Sequence, residues 1–144
     1  QLKKSDVLPG FDEKRPIILF ASQWVRGGEE YMRKQIIDDY LKLAENFPDY
    51  YFLVKPHPLE TDISLYKQFQ QKNKNRNFLL INEDIYKLIA ISDVVLVFTS
   101  TVGAEVVYFK KNLIILNYFL TLKQIKNFGM NSPGAAKSQV RIGF

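Results

Sequence analysis

Residues 92–105 read SDVVLVFTSTVGAE, and this stretch decides the fold. Residues 94–98 form a continuous apolar run rich in β-branched side chains, which is typical of a strand buried on both faces of a parallel sheet. Thr99, Ser100 and Thr101 follow directly, and Ser100 or Thr101 is expected to be the N-cap of a helix. The predicted order is therefore a strand, a hydroxyl-rich turn and a helix N-terminus.

This arrangement is also a candidate anion-binding site. At a helix N-terminus, free backbone N–H groups and the positive end of the helix dipole favour a negatively charged ligand. Gly103 in the first turn permits close approach, and Glu105, further along the helix, could reach a ribose hydroxyl. Taken alone, the stretch favours the simpler interpretation, a well-capped helix that follows a core strand.

Composition narrows the class of protein. The chain has 144 residues, of which 47% are hydrophobic, enough for one domain with a hydrophobic core. It contains no cysteine, which excludes disulfides and thiolate metal sites. Its net charge of +5 suits a phosphate-bearing ligand or an anionic membrane surface. The sequence shows no zinc spacing, helix-turn-helix or basic patch interleaved with aromatic residues, so we expect no nucleic acid partner.

Strands and helices alternate five times along the chain, which predicts an α/β fold. The expected architecture is a doubly wound, mostly parallel, Rossmann-like sheet in three α/β/α layers. The predicted strands cover residues 17–22, 50–54, 78–81, 94–98 and 113–118. The predicted helices cover residues 29–46, 63–73, 85–91 and 121–127, and a further helix runs from its cap at Ser100 or Thr101 to residue 109. Residues 1–15 are predicted to be a linker from a missing N-terminal domain. Residues 16–144 form the predicted domain, with a truncated last αβ unit.

Most of the chemically interesting residues follow strand ends, where an open parallel sheet binds its ligands. His57, the only histidine, stands between two prolines that restrict the backbone on both sides. We expect His57 to hydrogen-bond a phosphate or, when protonated, to neutralise a departing phosphate. Lys55 is a second candidate phosphate ligand, with a solvent-facing side chain as the alternative.

Further polar residues follow the first and third strands. Arg26 precedes two glycines, so this segment either folds over a diphosphate or makes a tight turn into the helix. Asn82 ends the third strand, and Glu83 and Asp84 are expected to cap the next helix rather than act as catalytic acids. The sequence has neither the dinucleotide-binding nor the P-loop glycine pattern. One histidine without cysteine does not make a usual zinc site.

The ordered motifs KPHP (55–58), IYKLIAISDVVL (85–96), STVGAE (100–105) and LIILN (113–117) resemble the C-terminal domain of GT-B-fold enzymes. The nearest resemblances are to capsule and surface-polysaccharide glycosyltransferases, bacterial sialyltransferases with a His-Pro motif, and CDP-glycerol glycerophosphotransferases. UDP-N-acetylglucosamine 2-epimerases share the fold and a similar Ser…Glu segment. The resemblance covers residues 16–118 and is more specific for the fold than for the donor.

The resemblance implies a role for each matching residue. His57 would contact the donor phosphate and stabilise it as it leaves, Ser100 and Thr101 would bind the same phosphate, and Glu105 would accept from ribose hydroxyls. The turn at residues 82–85 would hold the base, largely through backbone groups. The acceptor and the catalytic base would lie on the missing domain. The full predicted donor site comprises Arg26, Lys55, His57, Asn82, Ile85, Thr99, Ser100, Thr101 and Glu105.

The leading hypothesis is the donor-nucleotide-binding domain of a glycosyltransferase or glycerophosphotransferase of surface-polysaccharide biosynthesis. It would use a CDP-, CMP- or UDP-linked sugar or glycerol donor, without metal or cofactor, and would be inactive as a fragment. We expect a cytoplasmic location, with peripheral membrane contact left open.

Two rival hypotheses remain. The first is a UDP-N-acetylglucosamine 2-epimerase. Val106 and Val107 follow Glu105 where the epimerases have a second glutamate, and this difference favours the transferase. The second is a non-catalytic, flavodoxin-like or regulatory α/β module. A receiver domain of that class needs an acidic cluster after the first strand, where this chain has Ser22 and Gln23.

Overall fold

The computed structural model describes residues 2–22, 30–97, 102–115 and 139–140, without the side chains of residues 30–32 and 139–140. The strands within these ranges are β1 (Ile17–Ala21), β2 (Tyr51–Lys55), β3 (Phe78–Leu80), β4 (Val94–Val97), β5 (Asn112–Ile115) and β6 (Gln139–Val140). The helices are α1 (Lys4–Val7), α2 (Glu30–Asn46), α3 (Ser64–Lys72), α4 (Ile85–Ile91) and α5 (Val102–Tyr108). The helix predicted over residues 121–127 lies outside the described residues.

The strands form one sheet in the order β3-β2-β1-β4-β5-β6, and every neighbouring pair is parallel. The predicted doubly wound parallel sheet is therefore confirmed. The strand order reverses at β1, which pairs with β2 on one side and with β4 on the other. A crevice forms at such a reversal, beyond the carboxyl ends of the two central strands. Strand β6 was not predicted, because a strand of two residues is too short to show a pattern of apolar residues in the sequence.

Two hydrophobic clusters lie on opposite faces of the sheet, because successive side chains of a strand alternate between its faces. Ile17 and Leu19 of β1 belong to one cluster with residues of α4 and α5, whereas Phe20 belongs to the other with residues of α2 and α3. The predicted three layers are thus confirmed. The inward stripe of α2 comprises Ile36, Ile37, Tyr40, Leu41 and Ala44, all buried.

The N-terminal segment, predicted to be a linker, packs against the domain instead. Val7 and Leu8 are buried in the same cluster as α4. Lys4 Nζ donates to the carbonyl of Arg15 at 2.7 Å and to Asp93 Oδ2 at 3.2 Å. These contacts join α1 to the end of the segment that leads into β1 and to the residue preceding β4. The segment is mostly polar, so its composition did not indicate that Val7 and Leu8 are core residues.

Candidate functional site

The parallel register brings the carboxyl ends of the central strands to one edge of the sheet. Ala21 of β1 lies opposite Lys55 of β2 and opposite Val97 of β4. The backbone N–H of Ser22 donates to the carbonyl of Lys55 at 2.9 Å, which continues the pairing past the end of β1. Lys55, the His57 turn and Ser22, the residue after β1, therefore share one rim. The predicted site residues Arg26, Thr99, Ser100 and Thr101 lie outside the described residues.

Lys55 and Asn82 meet across the ends of β2 and β3. Lys55 Nζ donates to Asn82 Oδ1 at 3.0 Å, so two residues chosen separately from the sequence are in contact. An ammonium group has three donors, and the amide oxygen uses one of them. Lys55 therefore combines a fixed position with a positive charge and remaining donor capacity at the rim.

The turn after Asn82 begins α4. Asp84 is its N-cap, and its carboxylate accepts from the backbone N–H groups of Tyr86 and Lys87, which confirms the expected capping role. The side chain of Ile85 is partly buried against the cluster that contains α4. The side chain of Ile85 therefore packs on the core, and the backbone role that the resemblance implies for it stays a prediction.

His57 is held in a tight turn by its own neighbours. Its backbone N–H donates to Glu60 Oε1 at 2.8 Å, and its carbonyl accepts from the backbone N–H of Glu60 at 2.9 Å. The imidazole is fixed as well, because the backbone N–H of Leu59 donates to Nδ1 at 3.1 Å. Nδ1 is therefore an acceptor, and neutral His57 carries its proton on Nε2.

Glu60 is a site residue that the sequence analysis missed. Its side chain has no exposed surface, and its carboxylate accepts from Arg33 Nη1 at 3.1 Å and from Tyr66 Oη at 2.5 Å. Tyr66 Oη lies 2.6 Å from Ser22 Oγ, and because the tyrosine proton goes to Glu60, Ser22 is the donor in that contact. Burial, together with the bond to the Glu60 carboxylate, raises the pKa of the Tyr66 hydroxyl.

These four residues are far apart in the sequence, which explains why no single motif identified them. Ser22 directly follows β1, Arg33 lies on α2, Glu60 follows β2 and Tyr66 lies on α3. The available signal was an acidic residue three positions after His57, inside a turn that the prolines had already marked.

Glu105 lies in the first turn of α5 and contacts α4. The hydroxyl of Tyr86 donates to Glu105 Oε1 at 3.2 Å, and the negative charge of Glu105 raises the pKa of Tyr86. A Cβ added at Gly103 would lie 3.6 Å from Val97 Cγ2 and 3.7 Å from Leu113 Cδ2, both ordinary contacts. Packing against the residues that the structure describes therefore does not require glycine at this position.

The described part of the chain contains no group of three or more His, Cys, Asp or Glu residues that could hold a metal ion. None of the helices within it is both long enough and apolar enough to cross a membrane. The rim is instead built from a lysine, a histidine and an amide, which suits an anionic ligand with hydrogen-bonding groups.

A profile of the family described as "Capsule polysaccharide biosynthesis protein" matches residues 10–118. The chain belongs to this family. The capsule polysaccharide match runs from the segment before β1 to beyond β5, so it includes the Lys55–Asn82 contact, the His57 turn and Glu105. The resemblance stated from the motifs is thus confirmed at the level of the family. None of the curated proteins gives a significant match to the chain.

Solved structures with the same fold include two Kdo transferases. One is the β-Kdo 2,7 transferase of KpsC from Thermosulfurimonas dismutans, with 20% identity, a TM-score of 0.51, and coverage of 72% of this chain and 34% of that one. The other is the β-Kdo 2,4 transferase of KpsC from the same organism, with 18% identity, a TM-score of 0.50, and coverage of 76% and 36%.

A lactate dehydrogenase from Eimeria maxima, solved with NADH and oxamate, has 9% identity and a TM-score of 0.55, and the match covers 92% of this chain and 45% of that one. These identities establish a shared fold. The capsule-family chain spans about a third of the length of each KpsC structure.

Proposed function

We propose that this domain binds the nucleotide-activated donor of a glycosyltransferase, or of a related glycerophosphotransferase, that builds surface polysaccharide. One observation carries the proposal: in a capsule-family domain, Lys55, Asn82 and the His57 turn converge at the carboxyl edge of a doubly wound sheet. This edge is where the fold binds phosphorylated ligands. The likeness in fold to two Kdo transferases supports the same proposal, a donor-binding domain of a transferase.

In this proposal, the donor phosphate lies between the ends of β1, β2 and β4. Lys55 supplies charge, and the Nε2–H of His57 supplies a hydrogen bond that needs no protonation of the ring. Thr99, Ser100 and Thr101 supply hydroxyl and backbone donors at the start of α5, with Arg26 as a further cation. As the bond to the transferred group breaks, these groups stabilise the negative charge that develops on the leaving phosphate, without a metal ion.

The nucleoside extends from this phosphate toward α4 and α5. Glu105 accepts from the ribose hydroxyls, and the backbone of the turn at residues 82–85 holds the base. We expect a CMP-, CDP- or UDP-linked donor, and Kdo, the sugar named for the two structural neighbours, is the first one to test. The acceptor and the catalytic base belong to another domain of the same polypeptide. The location is cytoplasmic, with peripheral contact at the inner face of the membrane.

The test is a titration of the 144-residue chain with CMP, CDP, UMP and UDP, followed by calorimetry and amide NMR. Chemical-shift changes should concentrate at Lys55, His57, Asn82 and residues 99–105. A Lys55→Ala variant should bind at least tenfold more weakly, because it removes one charge-assisted bond of about 1.5–3 kcal/mol.

Lys42→Ala is the matched control. Lys42 lies on α2 and forms exposed ion pairs with Asp38 and Asp39, so its loss should leave nucleotide affinity unchanged. Absence of shift changes at the rim with all four nucleotides would refute the proposed donor site.

A further inference from the structure

We propose that Glu60 is a positioning residue for His57, which holds the imidazole with its N–H at Nε2 available to the donor phosphate. This inference rests on the proposed function for its consequence, but the Glu60–His57 relationship itself is structural. It assigns a role to a buried acidic residue that does not reach the rim.

The first argument is the environment of the carboxylate. Glu60 has no exposed side-chain surface, and it receives hydrogen bonds from the backbone of His57, from Arg33 and from Tyr66. A buried ion pair is rarely more stabilising than apolar residues of the same volume, because both charges lose their hydration. Stability alone therefore gives little reason for a carboxylate here, whereas fixing a particular geometry does.

The second argument is reciprocity within the turn. The backbone N–H of His57 donates to the Glu60 side chain, while the backbone N–H of Glu60 donates to the carbonyl of His57. The two bonds close the turn from both sides. Arg33 on α2 and Tyr66 on α3 bond to the same Glu60 carboxylate. Two helices, and not the loop alone, therefore fix the position of His57.

The third argument is the tautomer. In this closed turn the backbone N–H of Leu59 points at Nδ1 of His57. A proton on Nδ1 would oppose that N–H, so the turn selects the form with the proton on Nε2. The sequence analysis gave His57 two roles, a hydrogen bond to the phosphate or, when protonated, neutralisation of the departing phosphate. The imidazole with its N–H at Nε2 fits the first of these roles.

The fourth argument is the link to β1. The hydroxyl of Tyr66 bonds to Glu60 and also contacts Ser22, the last described residue before Arg26 in the sequence. The same network thereby ties the end of β1 to the turn after β2. These are two of the strand ends on which the proposed phosphate site depends.

The experiment compares wild type with Glu60→Gln, using Glu45→Gln on the exposed surface of α2 as the matched control. Glutamine keeps an acceptor for His57 but places an amide where Arg33 and Tyr66 need a carboxylate. Nitrogen-15 NMR of the imidazole should show a single Nε2–H tautomer in wild type and in Glu45→Gln. Glu60→Gln should show a mixture of tautomers, and nucleotide affinity should fall about tenfold.

A double-mutant cycle distinguishes a positioning effect of Glu60 on His57 from a general loss of structure. If Glu60 acts through His57, then His57→Ala and His57→Ala/Glu60→Gln should bind nucleotide equally weakly. If Glu60→Gln does not fold, Tyr66→Phe removes one donor and keeps the carboxylate, and it should shift the tautomer balance in the same direction.

The possible failures are distinguishable. If wild type binds no nucleotide, the proposed function is wrong, while the tautomer measurement still tests the Glu60–His57 relationship. If wild type binds and the folded Glu60→Gln protein keeps both its affinity and its tautomer, the inference about Glu60 is overturned.

Discussion

The phenol hydroxyl of Tyr86 on α4 donates to Glu105 Oε1 on α5 at 3.2 Å. This contact orients a carboxylate that we propose as the ribose acceptor, and it occupies only one of the two carboxylate oxygens. The ring of Tyr86 also stacks on Phe109, with centroids 6.2 Å apart. The two helices are therefore connected at the nucleoside end of the proposed site.

Removing this hydroxyl should weaken ligand binding without unfolding the protein. We expect Tyr86→Phe to lower nucleotide affinity about threefold to tenfold, as for one modest hydrogen bond, and to leave Tm unchanged. Calorimetry and thermal unfolding measure the two effects. Tyr108→Phe is the control, since Tyr108 is 84% exposed. Unchanged affinity in Tyr86→Phe would argue against a nucleoside position beside Glu105.

The charge of Glu105 should be visible in the titration of Tyr86. Because Glu105 is the first cause of the raised pKa of Tyr86, Glu105→Gln should lower that pKa toward its ordinary value of 10.0. The measurement is the tyrosinate absorbance of Glu105→Gln minus that of Glu105→Gln/Tyr86→Phe. The reference is the absorbance of wild type minus that of Tyr86→Phe, in which Glu105 is retained. An identical Tyr86 pKa in both backgrounds would contradict the contact.

Tyr40 should make the fold sensitive to alkaline pH. Its buried hydroxyl lies 2.8 Å from the carbonyl oxygen of Ile18 and 2.9 Å from that of Leu53, and burial raises its pKa well above 10.0. A raised folded-state pKa means that the stabilisation is complete below pH 10 and is lost progressively as pH rises above it. The free energy of unfolding should therefore decline as the pH rises above 10.

The Tyr40→Phe variant tests this origin. It should lose about 1–2 kcal/mol at pH 7, because the one hydroxyl donor that two backbone carbonyls share is removed, and its stability should decline less steeply above pH 10. Chemical denaturation at several pH values gives both quantities. A decline as steep as that of wild type would mean that other groups cause the alkaline sensitivity.

Asn77 should be among the most sensitive positions outside the site. It is fully buried, and its amide nitrogen donates to the carbonyls of Ala44 and Phe47, at the end of α2, and of Tyr50, just before β2. We expect Asn77→Ala to cost about 2–3 kcal/mol, because buried carbonyls lose their donor. Asn75→Ala, an exposed neighbour that bonds to the same helix end, should cost less than about 1 kcal/mol.

Substitution of Gly103 should distinguish the two interpretations of residues 92–105, a capped helix alone or a capped helix that also binds an anion. Among the described residues, the methyl group added by Gly103→Ala meets only ordinary contacts. Because alanine also favours a helix by up to about 1 kcal/mol, stability should be equal or higher. If a phosphate approaches the start of α5, the same methyl group should weaken nucleotide binding several-fold. Unchanged binding would favour the capped-helix interpretation without an anion.

The sequence predicted the sheet well because its central strands are uninterrupted apolar runs, such as residues 94–97. The helix Ile85–Ile91 was predicted with its observed bounds, since Asp84 caps it and its apolar spacing is regular. By contrast, Phe47 fits the helical spacing of α2 but is 48% exposed, because the helix ends at Asn46. The periodicity of apolar residues indicates which face of a helix is buried, but it does not show at which residue the helix ends.

Predicting the candidate site was harder, for a different reason. Lys55, Asn82 and His57 were identified because each follows a strand, and parallel strand ends share one edge. Glu60, Arg33 and Tyr66 come together only through the packing of α2 and α3 on the sheet. No spacing rule connects them, so the support of His57 was visible only in three dimensions.

The packing of α1 has a practical consequence for chimeric enzymes. Val7 and Leu8 lie in the core beside α4, and Lys4 is tied to Asp93 immediately before β4. A splice made at β1, where the first strand suggests a natural border, would remove apolar residues from the interior and expose part of α4. Exchange of this domain between relatives should therefore transfer residues 4–15 together with the sheet, so that the fusion point lies upstream of α1.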